Sequence, residues 1–119
     1  MLTRILRRTV QMVAIVGLCL TGANHAQAQS PVTTGWGLIT QLGGGWSANQ
    51  VSVFHSAPIL NPGGCPLAKN GYYSTDPTDP GANLYHTMIL SAFMNKREIV
   101  FVIAGCNASV PKIIGLLIR

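Results

Sequence analysis

The sequence predicts a small domain made mainly of β-strands with a single helix, in the order β-β-β-α-β-β. Short runs rich in β-branched and aromatic residues, separated by glycine, proline and asparagine, predict the strands. One later segment spaces its apolar residues at the period of a helix. An export signal precedes the domain, and it determines how the cysteines are interpreted.

Residues 1–28 carry the three parts of a secretory signal peptide. The basic stretch MLTRILRR precedes the uncharged residues 12–20 (MVAIVGLCL), and Ala26-Gln27-Ala28 suits cleavage. The apolar run is well short of the roughly 20 residues that span a bilayer. We therefore predict a signal peptide at 1–28, one mature domain at 29–119 and a secreted or periplasmic location, with no membrane span after cleavage. A retained anchor is the alternative.

The first half of the mature chain predicts a hairpin followed by a loop. Residues 35–42 (GWGLITQL) and 49–56 (NQVSVFHS) read as strands, and GGGWSA between them is a glycine-rich hairpin connection. The next residues, APILNPGGCPLAKNG, are dense in turn formers and predict an irregular loop. YYSTD supplies a brief third strand.

Helical spacing begins after DPTDPG. Five apolar residues fall at i, i+3, i+4, i+7 and i+8, which predicts one buried stripe: Tyr85, Met88, Ile89, Ala92 and Phe93. Asp79 before Pro80 predicts the helix start, and Asn95 with Lys96 predicts its end.

Two apolar strands close the chain, EIVFVIAG and PKIIGLLIR. Five short strands with one helix can curl into a small barrel that the helix covers, which is the oligonucleotide/oligosaccharide-binding (OB) architecture. An open α+β sheet with the helix packed on one face is the alternative.

Two cysteines remain after cleavage, because Cys19 leaves with the signal. In an oxidising compartment Cys65 and Cys106 are expected to form a disulfide. The bond would close a loop of about 42 residues, for which chain entropy gives roughly 4 kcal/mol of stability. Their spacing lacks the close Cys-x-x-Cys pair of a zinc site, so no metal is predicted.

Charge is sparse in the mature domain, which keeps five basic and three acidic side chains. No basic stripe is present, so nucleic acid is not an expected partner. A surface with so few charges suits contact with another copy, and homo-oligomerisation is expected.

The segment GCPLAKNGYYSTDPTDPGANLYHTMILSAFMNKREIVFVIAGCNASVPKIIGLLI resembles a group of small exported bacterial proteins with no assigned function. The shared pattern is a loop cysteine, a tyrosine before the helix, a helix ending in L-x-A-F/Y, a basic residue, an apolar strand, a second cysteine and P-K-I/L-I-G. A more distant similarity, in element order and in the loop-to-strand disulfide, is to the pentameric B subunits of bacterial A-B toxins. That similarity implies an OB fold and glycan binding.

Catalytic chemistry is not predicted. No serine or cysteine nucleophile is placed near His55 or His86 by the sequence, and Asp76 and Asp79 read as turn and cap residues rather than as calcium ligands. Asn107-Ala108-Ser109 matches a glycosylation sequon that we expect to stay unmodified. No cofactor and no enzymatic activity are expected.

The aromatic residues indicate where a ligand could bind. Trp36 and Tyr73 are expected in the core, whereas Trp46, at a glycine-rich hairpin tip, is the predicted ligand-binding residue. We expect a non-catalytic binding or assembly module with a glycan or protein ligand. A structural or accessory envelope protein without a small-molecule ligand is the alternative.

Overall fold

The computed structural model describes residues 30–45 and 48–119. The predicted signal peptide, residues 1–28, lies outside the described residues, and so does Trp46. Both therefore remain predictions.

Six strands and one α-helix make up the domain: β1 (Val32–Thr33), β2 (Ile39–Gly44), β3 (Val51–His55), β4 (Tyr73–Thr75), α1 (Ala82–Met94), β5 (Ile99–Asn107) and β6 (Val110–Ile118). The strands form one mixed sheet in the order β1-β5-β6-β4-β3-β2. Only β4 and β6 run parallel. The mainly β order with one helix is confirmed. The sequence does not predict β1, because two residues are too few to show an alternating pattern.

The helix buries the predicted stripe. Ile89 and Ala92 are 0% and 1% exposed, while Tyr85 and Phe93 pack at the margin of the core and Met88 is half-buried. The predicted end is confirmed, because Asn95 is the C-terminal cap.

The predicted helix start is wrong: Gly81 is the N-terminal cap, and the carboxylate of Asp79 lies 3.8 Å from Lys112 Nζ instead of capping the helix. Glycine suits this position because a Cβ at Gly81 would come within 2.7 Å of the Tyr85 ring. That ring is held by its hydroxyl, which donates a hydrogen bond of 2.6 Å to the carbonyl of Ile114.

The core lies between α1 and the central strands. Its fully buried members come mostly from β5 and β6, where alternate side chains point to the same face: Ile99, Phe101, Ile103 and Ile113 are each 0% exposed. Val53 from β3 and Tyr73 from β4 extend the cluster. Tyr73 is thus a core residue, as predicted, and its hydroxyl accepts a hydrogen bond from the N–H of Leu60 at 2.8 Å.

The sheet is open, so the predicted closed barrel is not found and the α+β alternative describes the strand pairing. Its two edges are β1 and β2, which do not pair with each other although only residues 34–38 separate them in the chain. The sheet is nevertheless curled. His55 at the end of β3 lies 3.0 Å from the carbonyl oxygen of Ile99 in β5, although β4 and β6 stand between these strands in the ladder.

The predicted disulfide joins Cys65 in the loop before β4 to Cys106 near the end of β5. It ties that loop to the central hairpin across a sequence separation of 41. Among the described residues, no helix has the length and apolar character needed to cross a membrane.

Candidate functional site

A groove of about 420 Å³ lies between the β2–β3 hairpin and one side of α1. Its apolar lining comes from two strands and the helix: Leu42, Val51, Ile89 and Leu90. Polar groups stand beside this lining, namely Asn49, Gln50 and His86. None of the lining residues that the structure describes is an acid, a lysine or an arginine. A groove of this kind combines apolar contact with a few hydrogen-bonding groups, as ligand sites commonly do.

Glycine forms one wall of the groove, through residues 43–45. A Cβ at Gly44 would collide with the carbonyl oxygen of Gln50, so the hairpin strands approach each other closely here. Gly45 has a φ of 73°, a conformation that favours glycine. This wall of the groove therefore consists of backbone atoms, and the space that larger side chains would occupy stays open.

His86 is held in place by a buried threonine. Its Nε2 lies 2.7 Å from the hydroxyl oxygen of Thr75, and that oxygen also accepts a hydrogen bond of 2.9 Å from the N–H of Val51. Among the described residues no protein group bonds the other ring nitrogen, Nδ1. The imidazole is consequently fixed through Nε2.

A hydrogen-bond network behind the groove holds Gln50. The side-chain amide of Asn107 donates to Gln50 Oε1 at 3.2 Å, to Ser74 Oγ at 3.0 Å and to the carbonyl of Thr75 at 2.9 Å. Ser74 and Thr75 are 1% and 0% exposed. These bonds link the end of β5 to β4 and to the residue just before β3, so they position one polar side of the groove.

Thr75 and His86 lie as close together as a catalytic nucleophile and its general base, but the Thr75 hydroxyl is inaccessible. Thr75 is 0% exposed, and its hydroxyl already has two hydrogen-bond partners. A nucleophile must reach the substrate atom that it attacks. The pair therefore serves to orient His86.

His55 lies apart from the groove, against the bend between β1 and β2. Because its Nε2 faces a carbonyl oxygen, this nitrogen carries the proton and donates to Ile99. Nδ1 is buried and has no partner among the described residues. Burial lowers the pKa of His55 from 6.5, and hydrogen bonds with the backbone of Ile99 and Gly37 oppose that shift.

Asp76 and Asp79 are brought together around a lysine. Lys112 Nζ lies 3.7 Å from Asp76 and 3.8 Å from Asp79. Hydrogen bonds donated by the Thr78 side chain and backbone lower the pKa of Asp76 from 3.8. Within residues 30–45 and 48–119, no three or more His, Cys, Asp or Glu side chains form a group that could hold a metal ion.

The prediction that Trp36 belongs to the core is wrong. Trp36 is 39% exposed, and the guanidinium of Arg119 lies 4.4 Å from the centre of its ring. The sequence does not show this cation–π contact, because its partners are far apart along the chain. The sequence also gives no signal for the roles of Thr75, Gln50 and Asn107, and it marks Asn107 only as part of a sequon.

The chain matches no protein-family model, no curated protein and no solved structure at a significant level. The resemblances to small exported bacterial proteins and to toxin B subunits therefore stay predictions.

Proposed function

We propose that this chain is an exported, non-catalytic binding module whose ligand site is the groove between the β2–β3 hairpin and α1. The proposal rests on the groove itself, which joins apolar surface to the amides of Asn49 and Gln50 and to an oriented imidazole. These groups suit an uncharged ligand that carries both hydroxyl groups and apolar C–H faces. A glycan has that chemistry.

Trp46 fits this proposal by its position in the sequence. It follows Gly45 and precedes Ala48 and Asn49, and Gly45 and Asn49 both line the groove. Stacking of a sugar or base face on an aromatic ring contributes about 1 to 3 kcal/mol. We therefore keep Trp46 as the proposed stacking residue.

Against catalysis, the Thr75 hydroxyl is inaccessible and His86 stands without an acid near it in the groove. A curled sheet also supports the proposal, because an OB-like half-barrel is a frequent scaffold for sugar binding. Two features support that architecture. The first is the parallel pairing of β4 with β6. The second is the bend between β1 and β2, which lets one continuous segment pair with β5 at one end and with β3 at the other.

A secreted or periplasmic location is part of the proposal. The Cys65–Cys106 disulfide is consistent with it, because such bonds persist in oxidising compartments. The predicted signal peptide supports the same location.

The test is a glycan array probed with residues 29–119, followed by calorimetry on the glycan retained. Trp46→Ala is expected to weaken binding by about fivefold to 150-fold, the equivalent of about 1 to 3 kcal/mol. Asn49→Ala should weaken it by about tenfold, the value of one hydrogen bond. Asn83→Ala is the matched control: Asn83 is exposed on α1 outside the groove, and its loss should leave affinity unchanged.

Retention of no glycan by the folded wild-type domain would contradict the ligand class and favour the structural alternative. Equal losses for Asn49→Ala and Asn83→Ala would place the ligand elsewhere on the molecule.

A further inference from the structure

One edge of the sheet is a full-length strand with an unpaired side. β2 spans six residues and, within the part of the chain that the structure describes, pairs only with β3. Bonding alternates along an antiparallel ladder, and the N–H of Gly45 donates to the carbonyl of Gln50. By the register of the hairpin, the backbone N–H and C=O groups of Gln41 and Gly43 bond to β3. The same groups of Leu42 and Gly44 point to the open edge.

The partner strand confirms this alternation. Val51 lies opposite Gly44, and its N–H points away from β2 and donates to Thr75 Oγ1 at 2.9 Å. The pair formed by Gly44 and Val51 is therefore one whose backbone groups face outward on both strands. Backbone donors and acceptors thus line the free side of β2.

One feature that hinders strand pairing is present at this edge, a bulge between Ile39 and Gln41, but residues 41–44 beyond it keep a regular register and lack charge and proline. Exposed edges are commonly protected by charged side chains, by proline or by shortness. The β2 sequence, ITQLGG, has neither charge nor proline, and no charged residue occurs anywhere in residues 30–50. The opposite edge differs, because β1 is only two residues long.

A second groove runs beneath the free edge. It has a volume of about 290 Å³ and lies between the start of β2 and the C-terminal half of α1, with Ile39, Thr40 and Phe93 in its lining. Lys96 is the one charged residue in that lining. The helix itself carries no charge, and its Leu90 and Met94 are 55% and 70% exposed. Apart from Lys96, uncharged surface therefore continues from the strand edge onto the helix.

We propose that β2 pairs antiparallel with β2 of a second copy of this chain, so that the sheets of two protomers join across a two-fold axis. The occupant is a second copy because a two-fold pair brings the same strand against itself, and an uncharged strand meets no like charge there. An edge without charge offers nothing that would select a charged foreign peptide. This dimer is independent of the ligand proposal, although two grooves in one particle would raise avidity.

The experiment compares two identical substitutions on the two edges of the sheet. Thr40 in β2 and Thr33 in β1 are both exposed threonines, so Thr40→Lys and Thr33→Lys add the same charge to opposite edges. Sedimentation of residues 29–119 over a range of concentrations should show the mass of two chains for the wild type and for Thr33→Lys. Thr40→Lys should sediment as a single chain, with circular dichroism confirming that it is folded.

Amide hydrogen exchange of the wild type gives a reading that does not depend on any variant. The amides of Leu42 and Gly44 should exchange more slowly as protein concentration rises, whereas Thr33 should show no such dependence. A single-chain mass at every concentration would overturn the proposal and leave the edge to a foreign strand. A ring of more than two chains, equal dissociation by both lysine variants, or concentration-independent exchange at Leu42 and Gly44 would also overturn it.

Discussion

The two hairpins of this domain differ in how much of them is buried and in what surrounds them. β5 and β6 have nine residues each, lie inside the sheet and supply five hydrophobic side chains that are 0% exposed. The β2–β3 hairpin lies at the edge; β2 buries only Ile39, while Gly43 and Gly44 are exposed. Stability is thus concentrated in the central hairpin, and the accessible polar and backbone groups are concentrated in the edge hairpin.

The two hairpins also differ in how firmly their turns and flanking elements hold them. β5 and β6 are joined by Ala108 and Ser109, whose φ angles of 48° and 65° are those of a tight two-residue turn. The disulfide at Cys106 fastens this hairpin to the loop before β4. Flanking strands on both sides hold it as well. In the edge hairpin, one side of the ladder is unpaired and glycine forms the wall of a groove.

Removing the disulfide tests the central hairpin with the largest expected effect. The double substitution Cys65→Ser and Cys106→Ser should lower the free energy of unfolding by about 4 kcal/mol, because a long loop gains conformational freedom in the unfolded chain. Urea unfolding of the oxidised wild type and of the variant measures this difference. An unchanged unfolding midpoint, or two free thiols by intact mass in the exported protein, would contradict the account.

The helix interface should give the next largest effect. Ile89 is 0% exposed at the centre of the core cluster, so Ile89→Ala should cost about 2 to 5 kcal/mol through lost burial and the cavity left behind. Asn83→Ala, on the exposed face of the same helix, should change the free energy of unfolding by about 0.5 kcal/mol or less. Similar costs at both positions would mean that α1 does not pack through this face.

A smaller effect is expected from pH at the edge hairpin. The pKa of His55 in the folded protein is below its unfolded value of 6.5, because burial disfavours the charged ring. The unfolded chain therefore binds a proton more readily than the folded one. His55 contributes stability that is present above pH 6.5 and is lost as pH falls from there through the folded pKa.

Thermal melts of the wild type and of His55→Gln between pH 7.5 and 5 measure this contribution. Glutamine can still donate to the carbonyl of Ile99 but does not titrate, so the variant should lose less stability on acidification than the wild type. The carboxyl of Asp76 does not confound the comparison, because its pKa is lowered from 3.8 and lies below this window. Parallel pH profiles would show that the environment of His55 is wrongly described.

The sequence predicts those parts of the fold that depend on a local spacing of residues or on the predicted oxidising compartment. The stripe through Ile89 is visible because helical spacing repeats over several residues. The bond between Cys65 and Cys106 is predictable because only two cysteines lie outside the predicted signal peptide. The sequence places the helix start wrongly at Asp79, because the true cap, Gly81, is selected by the close approach of the Tyr85 ring, which propensity rules do not include.

The candidate site is less predictable, because it is made by contacts between distant residues. His86 meets Thr75 across 11 positions, and Asn107 meets Gln50 across 57. No spacing rule joins these residues. The curl of the sheet is equally hard to predict from the sequence, because it depends on how the segment from β1 to β2 bends past His55. Open or closed pairing could therefore not be decided from the element order alone.

The most direct test of the account is an NMR titration of ¹⁵N-labelled residues 29–119 with the glycan that the array retains. The account predicts that chemical-shift changes concentrate at the groove, in Gly43, Asn49, Gln50 and Leu90, and leave the Ala108–Ser109 turn unmoved. Changes concentrated instead around Trp36 and Arg119, with the groove resonances unaffected, would contradict the claim that the edge hairpin and the helix form the binding site.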